Sequence, residues 1–230
     1  GAWLAGSVLA CLAGVATKEL AALAPVAILL YDRAFVSGDF RGAWRRHRAW
    51  YLSLAATWLP LLWFLASTGG DRGGTFNFDD PAIWVGHALT QFEAVTRYAW
   101  LTFIPYPLTF DYGEIPPPGA GAALLWALPV AALLAATALA WRRWPAAAFL
   151  GAFAFLILAP TSLLPATLQI IVEHRMYLPL AAVLTLAATV AYLRVGRATV
   201  PALFALAVLA GGLTFVRNRD YRSAITLWTE

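Results

Sequence analysis

Residues 120–140 read AGAALLWALPVAALLAATALA and hold no ionisable side chain. A helix of about 20 such residues crosses the ~30 Å hydrocarbon layer of a bilayer. Comparable apolar runs occur at 1–16, 17–31, 49–67, 145–164, 176–193 and 200–216. Where no water is present, a backbone must satisfy its own hydrogen bonds, so spanning segments of this composition fold as helices. The composition agrees: 61% of residues are hydrophobic, 12% are charged, and the mean hydropathy is +0.70. A soluble domain carries about 25% charged residues, and 230 residues could not hide this much apolar surface from water. The expected fold is an all-α, polytopic transmembrane helical bundle of about seven spans. The second run is short and has Lys18 and Glu19 at its start, where a lysine can reach the interface.

The polar connections set the orientation. Residues 33–48 hold five Arg against one Asp, WRRW (141–144) holds two Arg between Trp residues, and RVGR (194–197) holds two more. Alternating spans put all three on one face, which the positive-inside rule makes cytoplasmic. The net charge of +4 therefore reports topology and does not call for a nucleic-acid partner. Lys18 is the single lysine, and this Ala/Arg-rich usage suggests a GC-rich bacterial genome. The expected location is a bacterial inner membrane with the active face periplasmic. Cys11 is the single cysteine and sits in an apolar run, so it reads as a small buried hydrophobe. No initiator Met or charged leader precedes the first run, and the expectation is a fragment of a longer chain.

The opposite, outer face then receives residues 68–119, 165–175 and the tail from Arg217. Asp80-Pro81 is a helix-start signal, a carboxylate cap followed by proline. In the helix that follows, about 82–104, Val85, Ala88, Phe92, Val95, Ala99 and Phe103 recur at spacings of three and four. His87, Thr90, Gln91 and Arg97 fall on another side, and Glu93 can pair with Arg97. The pattern predicts an amphipathic helix in the outer interface. A helix packed against the bundle is the alternative. The helix should break at FIPYPLTFDYGEIPPPG (103–119), whose prolines impose an extended path.

Within IIVEHRMYLP (170–179), three consecutive ionisable residues, Glu173, His174 and Arg175, stand between apolar flanks. A plain interfacial anchor is the simple reading. On the same face lie His87, Arg97, Asp111 and Glu114, a set able to form a site for a lipid-linked anionic substrate. No phosphate-binding glycine loop, catalytic triad motif or metal-ligand spacing is present, so no cofactor or metal is called for. The spans at 120–140, 145–164, 176–193 and 200–216 lack interior ionisable residues, which argues against ion-coupled transport.

Four stretches together resemble a known family: ATKELAALAPVAILLYD (16–32), WLTFIPYPLTFDYGE (100–114), SLLPATLQIIVEHRMYLPLA (162–181) and RNRDYRSAITLWTE (217–230). In that order they are similar to the membrane half of the tetratricopeptide-repeat glycosyltransferases, bacterial relatives of the transmembrane O-mannosyltransferases that act on cadherins. The resemblance implies a GT-C-like bundle over 1–216, with 217–230 leading into a repeat domain. It implies transfer of a sugar, in the family a mannose, from a polyprenyl phosphate carrier to a Ser or Thr hydroxyl of an acceptor protein. The family's catalytic acid lies in the first outer loop, expected before Gly1.

In such an enzyme Arg175 would bind the donor phosphate through its planar fork, with His174 donating a hydrogen bond and Lys18 a point charge. Glu173 would orient a cation, and Tyr177 and Tyr112 would pack or hydrogen-bond nearby. Asp111 is the weak candidate for a catalytic or sugar-contacting carboxylate, against a turn-stabilising role. For Lys18 and Glu19 a buried mutual pair is favoured over a catalytic role. The rival functions are a non-catalytic membrane anchor for a repeat domain, and a lipid-linked sugar flippase or ligase.

Overall fold

The computed structural model describes residues 1–67, 81–113, 115–164 and 170–223. Among them the chain is helical and holds no strand. The helices are α1 (Ala2–Thr17), α2 (Ala24–Phe35), α3 (Phe40–Ala56), α4 (Trp58–Ser67), α5 (Pro81–Phe103), α6 (Ala120–Ala140), α7 (Pro145–Leu163), α8 (Tyr177–Val195) and α9 (Thr199–Arg217). Short 3-10 turns precede α2 (Glu19–Leu23), precede α8 (Glu173–Met176) and join α8 to α9 (Gly196–Ala198). Pro81 opens α5 as expected. Asp80, Glu114 and the second half of the tail lead-in (224–230) lie outside the described residues.

Four stretches are long and apolar enough to cross a membrane: Phe40–Ser67, Ala120–Ala140, Pro145–Leu163 and Glu173–Arg222. The last divides into α8 and α9 at Gly196, whose φ of +76° is open to glycine but rarely to L side chains. Large apolar side chains on these helices, such as Leu125, Leu128, Leu193 and Phe204, stay exposed. Water would penalise that surface and lipid tails accommodate it. The chain is therefore an integral membrane helical bundle.

Two expected boundaries are corrected. Residues 17–31 do not form one apolar helix. Lys18 is extended, its amide closes on the Gly14 carbonyl, and Pro25 restarts the helix. The resulting α2 has 12 residues, about 18 Å at 1.5 Å per residue, too short for the hydrocarbon layer. The basic connection 33–48 is also mostly helix. Asp39 accepts from the Gly42 amide and caps α3, so Arg41, Arg45, Arg46 and Arg48 ride its first turns. Arginine is a good helix former and does not oppose this. A non-helical His47 bends α3, and Thr57 divides it from α4.

Packing orders the ends. Tyr31 and Phe35 meet Phe149 at 5.8 and 5.4 Å between ring centroids, so the end of α2 lies beside the start of α7. Arg33 covers the Trp141 ring at 3.8 Å. This basic end gathers the connections at 36–39 and 141–144, and α8 runs back towards it. Cys11, buried as expected, packs with Ala43, Tyr51 and Leu54. Asp32, which the sequence did not single out, is buried there and accepts from Tyr51 Oη and Ser37 Oγ.

Helices α6 and α7 approach closely at Gly151. A Cβ there would lie 2.5 Å from Thr137 Oγ1 and 3.1 Å from Thr137 Cγ2, and β-branched threonine has few alternative rotamers. Gly151→Leu is expected to lower stability by about 1–3 kcal/mol, read from thermal unfolding in detergent, with partial recovery when Thr137→Ala is added. An unchanged midpoint in Gly151→Leu would show that these helices do not meet there.

Candidate functional site

Helix α5 is turned the opposite way from a water-facing interfacial helix. Gly86, His87, Thr90, Gln91, Ala94 and Tyr98 form a buried stripe against the protein. Val85 and Phe103, from the apolar side, are 60% and 66% exposed. Of the two readings of this helix, the buried stripe favours the alternative, packing against the bundle. In apolar surroundings a polar side chain is stabilised by protein partners, while a Val or Phe can face lipid.

The stripe finds its partners on α7 and on the segment before α8. His87 Nε2 lies 3.2 Å from the Thr161 carbonyl at the end of α7. A carbonyl only accepts, so Nε2 carries the proton, and Nδ1 has no partner among the described residues. Gln91 Nε2 donates to the Ile170 carbonyl at 3.3 Å, and Arg175 Nη1 donates to the same oxygen at 2.9 Å. Tyr98 Oη accepts from the Val172 amide at 2.8 Å and also meets the Arg175 guanidinium. Beneath this seam Ala94, Tyr98, Leu158 and Ile171 form an apolar cluster.

Glu173 then fastens the proline-rich bend. Its Oε1 accepts from the Thr109 amide at 2.9 Å and from Tyr112 Oη at 2.8 Å. Burial raises the Tyr112 pKa, and the hydrogen bond to the Glu173 carboxylate raises it further. Arg97 pairs with Glu93 at 2.9 Å as expected, and its guanidinium stands 5.1 Å over the Tyr112 ring. From the far end of α9, Arg217 Nη2 donates to the Leu108 carbonyl at 3.1 Å, and Tyr221 sets its edge on Phe110. Residues 105–113, 170–177 and 217–221 therefore share one end of the bundle, opposite the basic end.

The other expected site residues are placed unevenly. Arg175 is half-buried, His174 is exposed, and Tyr177 is 81% exposed. Asp111 Oδ1 accepts from the Gly113 amide at 2.9 Å, a turn in which Gly113 has φ +63°. That is the turn-stabilising role. Lys18 and Glu19 are both exposed, so the buried pair is corrected. The helix stops at Thr17, and Lys18 is extended there. Lys18 makes no side-chain hydrogen bond or ion pair among the described residues. Tyr98 and Arg217 were missed in the sequence. For Tyr98 a signal existed, since 87, 91, 94 and 98 are spaced by four, three and four on one helical stripe.

No family model, curated protein or solved structure matches this chain. The site therefore stands on its own geometry, a carboxylate clip and a seated arginine where a loop meets two helix ends.

Glu173→Ala removes the acceptor of an amide and of a hydroxyl. Hydrogen bonds to charged groups contribute roughly 1.5–3 kcal/mol when shielded. This clip is only partly buried, so opening of residues 105–113 should rise by about tenfold. Hydrogen exchange at Thr109 reads it, and unchanged exchange would show that the loop is held otherwise.

His87 supplies a pH test. Burial lowers its pKa from the usual 6.5 and Arg175 adds to the drop, while the Thr161 hydrogen bond opposes it. Unfolded chains take up this proton below about pH 6.5, and the folded chain resists it. The contribution is therefore full above that pH and is lost as pH falls towards the folded pKa. Thermal midpoints should fall on acidification, and His87→Gln should weaken that fall. An identical acid limb in the variant would contradict the assignment.

Proposed function

We propose that this chain is the membrane part of a glycosyltransferase. It moves a sugar, a mannose on the family resemblance, from a polyprenyl phosphate to a Ser or Thr hydroxyl of a protein. The observation that carries the reading is a convergence. Three of the four stretches bearing the resemblance meet at one end of the bundle, through Glu173 on Thr109 and Tyr112 and through Arg217 on Leu108. The resemblance lies in the order of residues along the chain, and the meeting of these stretches in space supports the reading.

In the proposed reaction the acceptor oxygen bonds the anomeric carbon as the bond to the carrier phosphate breaks. The acceptor proton passes to a carboxylate base, which stays unassigned because Asp111 is committed to its turn. The sugar passes through an oxocarbenium-like transition state, and negative charge grows on the leaving phosphate. Arg175, held by Ile170 and Tyr98, keeps a fixed cation beside that charge. His174 and Tyr177 are exposed at the start of α8 and face the surroundings from which donor and acceptor arrive. Glu173 is a positioning residue that holds the proline loop against this cation.

The test is sugar transfer from a labelled polyprenyl phosphate mannose to a Ser/Thr peptide, by the full-length protein in proteoliposomes. Arg175→Ala should lower kcat/KM by about tenfold or more, with normal expression and helicity. Wild-type transfer and unchanged donor KM in that variant would remove the phosphate role. An inactive wild-type protein would remove the donor class.

A further inference from the structure

At the basic end, away from the Glu173 clip, α2, α6 and α7 leave an open groove of about 590 Å³. Its walls are apolar, with Leu30, Leu134, Ala138, Phe155 and Leu156, and it runs to Arg33, Trp141 and Arg142. A second cavity of about 560 Å³ adjoins it, because Arg33 lines both. That cavity adds Asp39, Phe40, Arg41 and Arg45.

The cations here stand in excess of the carboxylate Asp39 that lines the same cavity. Among the described residues none of Arg33, Arg41, Arg45 and Arg142 forms an ion pair. The neighbouring carboxylates are engaged elsewhere: Asp32 with Tyr51 and Ser37, and Asp39 with the Gly42 amide. Arg33 lies between two aromatic faces, 3.8 Å from the Trp141 ring and 4.8 Å from the Phe40 ring, which fixes its direction. Its buried Nε has no partner among the described residues.

We infer that this groove binds an anionic membrane phospholipid, with an acyl chain along the apolar wall and the phosphate among Arg33, Arg142, Arg41 and Arg45. The two halves of the site ask for the two halves of that molecule. α6 and α7 are both long and apolar enough to cross a membrane, so a groove between them opens on hydrocarbon and is filled by it. The arginines stand at the end of that groove with Trp141, at the level where aromatic and basic residues meet headgroups. A free phosphate would leave the apolar wall unfilled, and an apolar protein helix would leave the arginines unmatched. The inference does not rest on the glycosyl-transfer reading.

The full-length protein in detergent is titrated with phosphatidylglycerol and with phosphatidylcholine of the same acyl chains, and retained lipid is counted by native mass spectrometry. Wild-type protein should retain the anionic lipid about tenfold better, and Arg33→Gln/Arg142→Gln should abolish that preference. Arg33→Lys/Arg142→Lys should keep part of it, which separates lost charge from lost fold. Arg194→Gln/Arg197→Gln alters arginines outside the groove and should leave retention unchanged. Ala138→Phe, which narrows the groove, should weaken both lipids. Equal retention of the two lipids by wild-type protein overturns the site. So does undiminished preference in the glutamine pair, or equal loss in the Arg194/Arg197 control, which would mark a diffuse basic surface.

Discussion

The bundle's site end depends on buried and half-buried polar groups that find their partners within the protein. Two side chains from α5 make three contacts with the chain before α8: Gln91 to the Ile170 carbonyl, Tyr98 to the Val172 amide, and Tyr98 again to Arg175. Left unpaired in apolar surroundings, each would cost a few kcal/mol. That cost sets which way α5 faces. Its polar stripe is drawn inward to these partners, Val85 and Phe103 are left to the lipid, and Val95 packs against the buried cluster. Once α5 is seated, the loop after it must return along the same region. Glu173 then finds the Thr109 amide and the Tyr112 hydroxyl within reach.

The two ends of the molecule use charge differently. At the site end three ionisable residues are held by named partners: Glu173 by the loop, Arg97 by Glu93, and Arg217 by the Leu108 carbonyl and Asp220. Such pairing gives a fixed field of the kind that stabilises charge developing in a reaction. At the basic end Arg33, Arg41, Arg45 and Arg142 keep no carboxylate partner among the described residues. They sit around an open groove, an arrangement suited to a mobile anion drawn from the surroundings.

Helix α9 is a contrast within the same fold. Val200 to Val216 are all exposed, yet the helix end is tied to the proline bend through Arg217 and Tyr221. Its position is set by its two ends, the Gly196 turn and the Arg217 contact, and not by a packed face. Residues 218–221 therefore lie beside the candidate site.

Membrane-length helices, the grouping of arginines at one end and the break at the prolines were legible in the residues, because each follows from local composition meeting a single solvent. The same reasoning failed at 17–31 and 33–48. An extended Lys18 with Pro25, and the Asp39 cap, overrode hydropathy there. It also failed for α5, since periodicity finds two faces but does not say which one the protein covers. The meeting of Glu173 with residues 109 and 112, the seat of Arg175 and the exposure of Lys18 were decided only by tertiary structure. The Glu173 contacts join positions 64 and 61 residues apart, and no short-range pattern in the chain records which distant amide or hydroxyl a side chain will reach.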